Sequence, residues 1–439
     1  MKNTYREMKD SGMAWIGAIP KQWDTLKLKY AAWLKGRIGW QGLKANEYTD
    51  TGAHLITGTD FKNGKINWDT CAHISMERFN EDTDIHIKEK DLLITKDGTV
   101  GKVAVAYNCP PYVSLNSGIM LIRNNRKYKY IDRFLYYTLL SEEFLLWYDL
   151  SQNGASTIKH LYQEQFYNFE FAYPTLPEQT AIAAYLDEKC GTIDEIIAEA
   201  KASIEEYKAW KSSVIFEAVT KGLDPHAEMK DSGVEWIGKV PKTWKVTSLK
   251  RVSRIQTGNT PSKQSQENYY SDDDGTPWIK ADNLGTCNSI ETTSEYLTAK
   301  GVEAARLNPE NTVYVCCIGT IGKTGFSTQK CTCNQQINAV VFNDLMFWKF
   351  GFYSICAQEE QHWFYANGNV LKILNTENQK NIKITIPPMK EQRCIVDYLD
   401  EKCAAIDGII AEKEALIADM EVYKKSLIFE TVTGKRKVC

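Results

Sequence analysis

Two glycine-rich turns carry the residues most suggestive of chemistry: GTVGK (Gly98–Lys102) and GTIGKT (Gly319–Thr324). A loop that wraps nucleotide phosphates in backbone amides has the spacing G-x-x-x-x-G-K-[ST]. Here Cys317 stands five places before Gly322, so the loop is two residues short. The first copy has Val103 where a magnesium-binding hydroxyl belongs. Nucleotide hydrolysis is therefore not expected. The turns read either as plain hairpins or as platforms that present Thr99, Lys102, Thr320 and Lys323 to a phosphate backbone.

NCPPY (Asn108–Tyr112) resembles the Asp/Asn-Pro-Pro-Tyr signature of N6-adenine methyltransferases, but Cys109 occupies the position that should grip the amino group of a flipped base. It reads as a turn. The six histidines show no ligand spacing. Cys316, Cys317, Cys331 and Cys333 cluster as C-C-x13-C-x-C, unlike paired zinc knuckles, and read as buried reduced thiols. TDFK (Thr59–Lys62) and DLLITK (Asp91–Lys96) are isolated hits to a nuclease pattern. No catalytic constellation results, so a binding or scaffolding role is expected, with no metal bound.

The 439 residues are 43% hydrophobic and 25% charged, ordinary values for a globular chain of two to four domains. No run of 18 apolar residues exists, so no membrane span is expected, and the polar start (MKNTYREMKD) points to the cytoplasm. The net charge of −3 argues weakly against nucleic acid, although binding depends on the local field.

The elements that position these residues come in duplicate. EMKDSGMAWIGAIPKQW (Glu7–Trp23) returns as EMKDSGVEWIGKVPKTW (Glu228–Trp244), with 12 of 17 positions identical. PEQTAIAAYLDEKC (Pro177–Cys190) begins a long helical stretch that returns from EQRCIVDYLDEKC (Glu391–Cys403), displaced by 213 positions. Along it Ile193, Ile197, Ala200, Ile204, Tyr207, Val214 and Ala218 recur at alternating gaps of four and three, with Lys211 at the missing step. Ile406, Ile410, Ile417, Met420 and Leu427 repeat the pattern. This is a coiled-coil seam. A helix of about 43 residues spans roughly 65 Å. Two tandem copies favour a closed pseudo-two-fold arrangement, which sets the helices antiparallel.

Between lead-in segment and helix, each copy carries a variable domain of short Val/Ile/Tyr-rich strands, Gly turns and a helix, at Tyr130–Tyr148 in the first and Phe347–Glu360 in the second. Tyr112–Arg123 reads as a strand pair. The class is mixed α+β. Polar loops offer side chains suited to base edges and phosphates. They are Arg37, Trp40, Gln41, Thr59, Asp60 and Lys62 in the first domain. In the second they are Thr257, Asn259, Thr260, Lys263, Lys280, Asp282 and Asn283, with Asn334, Gln335 and Gln336.

The paired W-I-G-x-[IV]-P-x-x-W segments (Trp15–Trp23, Trp236–Trp244) and the paired helix starts (Leu176–Lys189, Met389–Lys402) resemble the specificity subunits of type I restriction–modification enzymes. TGNTPSK, TPWIKADNL, GTIGKT and NQQIN are also similar to the family's target-recognition domains. Met389 and Lys390 depart from the Leu176–Pro177 pattern, which should alter only the helix entry. The resemblance implies a lead-in at 1–23, a recognition domain at 24–173, a central spacer helix at 174–222 and a connector with repeated lead-in at 223–244. A second recognition domain at 245–386 and a C-terminal spacer helix with basic tail at 387–439 complete the chain.

It further implies a noncatalytic subunit whose two domains each read one half of a bipartite, asymmetric site in double-stranded DNA. The helices set the spacing and dock two methylation subunits, and restriction subunits join them. No cofactor is implied for this subunit; S-adenosylmethionine, ATP and magnesium serve its partners. A stand-alone DNA methyltransferase, or a coiled-coil adaptor that binds no DNA, are the alternatives. Methyl transfer by the purified chain would favour the first, and absence of salt-sensitive DNA binding the second.

Overall fold

The strand Leu92–Thr95 is buried at every position, because both its faces are covered. Side chains alternate across a strand. Leu92 and Ile94 join a core with Val103, Val105, Met120 and Ile122 and with Phe134 and Leu135 of a helix. Leu93, Ala104 and Leu121 point the other way and pack with Ile56, Val113 and Leu115. The second domain repeats the device. Val313, Val315 and Val340 pack with Phe350 and Ile355, whereas Tyr314, Cys316 and Ala339 pack with Ile279 and Leu284. The computed structural model describes residues 7–37, 43, 47–124, 127–152, 160–262, 266–271, 274–368 and 372–438, with backbone alone for 266–267. Trp40, Gln41 and Lys263 lie outside the described residues.

The chain forms two compact units, one of residues 1–200 with 415–439 and the other of residues 201–414. In the first unit a six-stranded sheet runs Trp33–Gly36, Ile119–Arg123, Leu92–Thr95, Val103–Val105, Lys65–Ile66, Phe61–Lys62. A four-stranded sheet (Val113–Leu115, Ala53–Ile56, Ala72–Ile74, Tyr48–Thr49) lies against it. In the second unit a five-stranded sheet runs Ser253–Thr257, Ile337–Phe342, Thr312–Cys316, Thr324–Ser327, Thr286–Ser289. Five strands follow the same order in both sheets, including the one parallel pairing, Val105 with Lys65 and Thr324 to Phe326 with Thr286 to Ser289; in the first sheet Phe61–Lys62 adds a sixth strand beyond it. The variable domains are thus structural repeats although their sequences match only in outline. Each is closed by a two-stranded antiparallel ribbon, Asp24–Lys27 with Glu170–Tyr173 and Lys245–Ser248 with Lys383–Ile386.

Two local expectations change. Val113–Leu115 and Ile119–Arg123 do not pair with each other; they belong to different sheets. The single helix expected at Tyr130–Tyr148 is two, Asp132–Leu140 and Glu142–Ser151, because Ser141 turns extended (φ −77°, ψ 161°) and its hydroxyl donates to the Thr138 carbonyl at 2.7 Å. The segment Phe347–Glu360 divides likewise, into Trp348–Cys356 and a helix from Glu359 to Tyr365.

The central helix spans Leu176–Lys221 and the C-terminal helix Met389–Val432. The central helix starts on a reciprocal cap: the Thr175 hydroxyl donates to the Glu178 carboxylate at 2.9 Å while the Glu178 N–H faces the Thr175 hydroxyl at 3.5 Å. Pro388 cannot provide that side chain, so in the C-terminal helix its carbonyl accepts from Glu391 and Gln392 instead. Both helices stop before a glycine in the left-handed region, Gly222 (φ +76°) and Gly434 (φ +73°). Among the described residues no helix is long and apolar enough to cross a membrane.

Candidate nucleic-acid interface and its anchoring

The two glycine turns have one geometry. The Thr95 N–H donates to the Lys102 carbonyl at 2.9 Å and the Gly101 N–H to the Thr95 carbonyl at 3.1 Å. Cys316, Lys323 and Gly322 repeat this at 2.8 and 3.1 Å. Gly98 and Gly319 have φ of +68° and +82°. A Cβ on Gly101 would sit 3.3 Å from Phe144, and one on Gly322 only 2.8 Å from Glu359. The glycines are therefore explained by backbone conformation and close packing. Each turn joins strand to strand, whereas a phosphate-wrapping loop leads from a strand into a helix. Thr99, Lys102 and Thr320 are exposed at these turns and Lys323 is half-buried.

Of the other loop residues, Thr59, Lys62, Asn259, Asp282 and Gln335 are exposed. Several are engaged within their own domain. Arg37 is buried, and its guanidinium donates to the Leu115 carbonyl at 2.9 Å and the Ser114 hydroxyl at 3.1 Å. Asp60 is buried and closes a turn by accepting from Thr57 N–H at 2.8 Å and the Thr70 hydroxyl at 2.9 Å. Buried Asn334 accepts from Gln336 N–H at 3.0 Å, and Asn283 accepts from Lys280 N–H at 2.8 Å. Lys280 pairs with Glu295. The Thr257 hydroxyl donates to Asn338 at 2.8 Å. Thr260 bonds to Gln335, and Asn259 donates to the Ala304 carbonyl at 2.8 Å.

These bonds gather the loops of the second domain. Asn259 N–H reaches the Cys333 carbonyl, Asn334 N–H the Ile279 carbonyl, and Cys317 N–H the Gln336 carbonyl. The segments at 257–260, 279–283, 317–323 and 333–336 therefore adjoin. In the first domain the turn at Gly58 lies against Thr95, whose hydroxyl bonds the Gly98–Lys102 turn.

Below each domain lies a polar clamp to its own long helix. Gln179 and Gln392 are wholly buried. Gln179 accepts from Ile131 N–H at 2.9 Å and donates to the Pro174 carbonyl at 2.9 Å. Gln392 accepts from Phe347 N–H at 2.7 Å and donates to the Leu345 and Pro387 carbonyls at 3.1 and 3.0 Å. Two turns on, Asp187 accepts from Arg133 at 2.6 Å and the Tyr137 hydroxyl at 2.7 Å. Asp400 accepts from Lys349 at 2.6 Å and the Tyr353 hydroxyl at 2.7 Å. Burial, reinforced by the neighbouring carboxylate, pushes both tyrosines well above their ordinary range. Each clamp fixes a domain helix on the long helix of its own copy without using a residue of the exposed loops. The recurrence of E-Q and L-D-E-K at both helix starts is the signal that could have revealed them.

Within each unit the two helices run antiparallel. In the first, Cys190 and Ile193 share a core with Leu427 and Ile428, with Ile197 and Met420 at its margin. Lys424 meets both oxygens of Asp194 at 2.6 and 2.7 Å. In the second, Lys211 meets both oxygens of Asp407 at 2.7 Å. These ion pairs are repeat equivalents, and Lys211 is the residue that broke the apolar heptads. Ile193, Ile204, Ile406 and Leu427 are buried, whereas Ile197, Tyr207, Val214, Ile410, Ile417 and Met420 are half-buried; Ile215 is more deeply buried than Val214.

Cys109 sits in a turn whose amide is taken by Glu89 at 2.9 Å. Cys316, Cys317, Cys331 and Cys333 are buried and form no disulfide, and burial pushes Cys317 and Cys333 up to about 12. Among the described residues no group of three or more His, Cys, Asp or Glu side chains could hold a metal ion. Cys287 and Cys356 form a disulfide, which nothing in their spacing foretold.

The profile of the type I restriction modification DNA specificity domain matches residues 39–206 and 241–417. The chain is 23% identical over 430 residues to the MjaX type I restriction enzyme specificity subunit of Methanocaldococcus jannaschii, covering 96% of each. It is 26% identical over 379 residues to the MjaVIII specificity subunit of the same organism, covering 81% of each. Among solved structures, a chain of a type I restriction–modification assembly superposes with a TM-score of 0.71 at 15% identity, covering 95% of this chain and 99% of that one.

Proposed function

The chain belongs to the type I restriction–modification DNA specificity family, and from that premise we propose that it is the DNA-reading subunit of such an enzyme. Each variable domain reads one half of a bipartite, asymmetric target. The observation that carries this is the clamp: the same Gln and Asp hold two domains of one topology on equivalent helices, while their exposed loops differ. Such a design keeps geometry constant and lets specificity change.

The exposed residues Thr59, Lys62, Thr99 and Lys102, and Asn259, Asp282, Thr320 and Gln335, are the ones we assign to DNA. Lysines suit phosphates, and the amides suit base edges. Arg37, Asp60, Asn283 and Asn334 hold those loops in shape. The paired helices fix the gap between half-sites and dock two methylation subunits, one on each equivalent surface; restriction subunits join them. The exposed aromatics Trp210 and Tyr423 occupy equivalent places on the two helices and suit such docking. S-adenosylmethionine, ATP and magnesium are used by those partners, and the subunit works in the cytoplasm on the cell's own DNA.

The test is a genome-wide map of N6-methyladenine with and without the gene. A split motif that disappears on deletion is expected. A methylation pattern unaffected by deletion would overturn the assignment.

A further inference from the structure

The strand Thr286–Ser289 is the outer edge of the second domain's five-stranded sheet, hydrogen-bonded on one side only, to Thr324–Ser327. Its register slips between Thr286 and Asn288, so Cys287 bulges out with φ +72°, a left-handed conformation uncommon for a residue with a side chain. That bulge aims its sulfur at Cys356, the last residue of the helix Trp348–Cys356, and the two are joined with Cα atoms 5.6 Å apart. This separation is ordinary for a disulfide, so the bridge can close without backbone movement. Both residues are only half-buried and line a cleft of about 480 Å³ bordered by Lys208 and Ser212 of the central helix. A small thiol can therefore reach the bridge. Among the described residues the other cysteines form no disulfide; burial pushes Cys71, Cys317 and Cys333 up to about 12, which makes them poor competitors for exchange, while the exposed Cys394 is a free thiol without a cysteine partner in a disulfide. The first domain has no such bridge among its described residues. There the corresponding strand Lys65–Ile66 is covered on its outer side by Phe61–Lys62, and Gly64 between them, in the left-handed region (φ +71°), packs directly on Tyr136.

We propose that Cys287 and Cys356 are a reversible thiol–disulfide site that conditions the second recognition domain and not the first. The co-reactant is a low-molecular-weight dithiol. One of its thiolates attacks a bridge sulfur, the S–S bond breaks, and a mixed disulfide forms as the departing sulfur takes up a proton. The second thiol of the reductant then displaces the remaining cysteine, which is also protonated. Two electrons and two protons enter the protein, and the dithiol leaves as a cyclic disulfide. A small oxidised disulfide reverses the exchange. Opening the bridge releases the edge strand from its helix. That strand continues from the Lys280–Asn283 turn and is bonded to the strand that leaves the Gly319–Lys323 turn, so both candidate DNA loops lose a support.

The first arm of the test needs no DNA. In the full-length chain, peptide mapping by mass spectrometry after exposure to a small disulfide should find Cys287 linked to Cys356. Hydrogen exchange over residues 284–290 should then rise on treatment with dithiothreitol while residues 61–66 stay unchanged. The second arm rests on the reading as a specificity subunit and uses the chain assembled with its methylation subunits. Binding is compared for the cognate duplex and duplexes altered in one half-site. Reduction should lower discrimination in the half read by the second domain by about threefold or more and leave the other half unchanged. Cys287→Ser and Cys356→Ser should each behave as reduced in either buffer. Absence of the linked peptide, unchanged exchange at 284–290, or equal changes at both halves would overturn the proposal. An assembly with no sequence preference at either half, together with a normal first arm, would instead sink the functional reading.

Discussion

Glu143 is wholly buried on the helix Glu142–Ser151, and burial raises its carboxyl to about 8, with one oxygen facing the Ala172 N–H at 3.4 Å. The folded chain thus keeps a proton that the unfolded chain loses near the ordinary carboxylate value. Stability from this group is greatest below that value, falls as pH rises toward about 8, and is flat beyond. The swing is on the order of 3–5 kcal/mol. Glu143→Gln keeps the acceptor and removes the penalty. Its melting temperature should match the parent near pH 4.5 and exceed it increasingly up to pH 8, as read by calorimetry across that range. A second contrast separates loop-holding from DNA-touching residues. Arg37→Ala strands buried acceptors and should cost about 2–4 kcal/mol of stability. Lys102→Ala should leave the melting temperature unchanged, weaken DNA binding of the assembled complex about evenly across sequences and reduce its salt slope by about 1. Thermal melts and salt titrations of both variants check this. Composition and spacing identify Arg37 as a loop cation, but its burial depends on the Ser114–Leu115 strand 77 positions away, a contact that no local pattern encodes.

At the scale of elements, the long helices were the most legible feature, since 3.6-residue periodicity over more than ten turns is hard to mistake. The two ion pairs were less so. Lys211 registers in sequence only as a gap in the apolar series, yet its side chain is 13% exposed and bonded to Asp407. With its carboxylate half open to solvent, such a pair is worth on the order of 1 kcal/mol. Their value is in register, because a polar residue at a seam position disfavours slipped pairings. Inserting or deleting one heptad within Ala198–Ser212, with the matching change in the C-terminal helix, keeps the seam in phase. Methylation mapping should then report both half-sites intact and a changed gap; an unchanged gap would refute the spacer role. The domain interiors were legible as strands and turns but not as topology. Strand order is set by contacts such as that of Ala53–Ile56 with Val113–Leu115, which lie far apart in sequence and share no distinctive residues.

For the whole molecule, duplication is the governing fact. It was plain in the lead-in segments and helices, and faint in the recognition domains, where strand order, the glycine turn and the clamp contacts are retained but little of the sequence is. Because each domain grips its spacer helix through a Gln and an Asp common to both copies, residues 24–173 should be exchangeable. Replacing them with another domain of the family that has the same helix clamp should alter one half of the methylated motif and leave the other unchanged. Changes in both halves would refute modular reading. The acidic balance of the whole chain, a net charge of −3, was a poor guide to partners, since its carboxylates include those spent on clamps, caps and helix pairing.

The first unit also takes in residues 415–439. Lys435 donates to the Ile16 carbonyl at 2.8 Å, and Gly434 lies so close to Pro20 and Trp23 that no Cβ would fit. During synthesis, residues 201–414 can finish their own unit while the one begun earlier still lacks a helix against Cys190 and Ile193. The ribosome thus delivers the parts of the first recognition domain's support on either side of residues 201–414. The half that starts first is completed after the second, and in the interval the apolar face at Cys190 and Ile193 lacks Leu427 and Ile428 as cover.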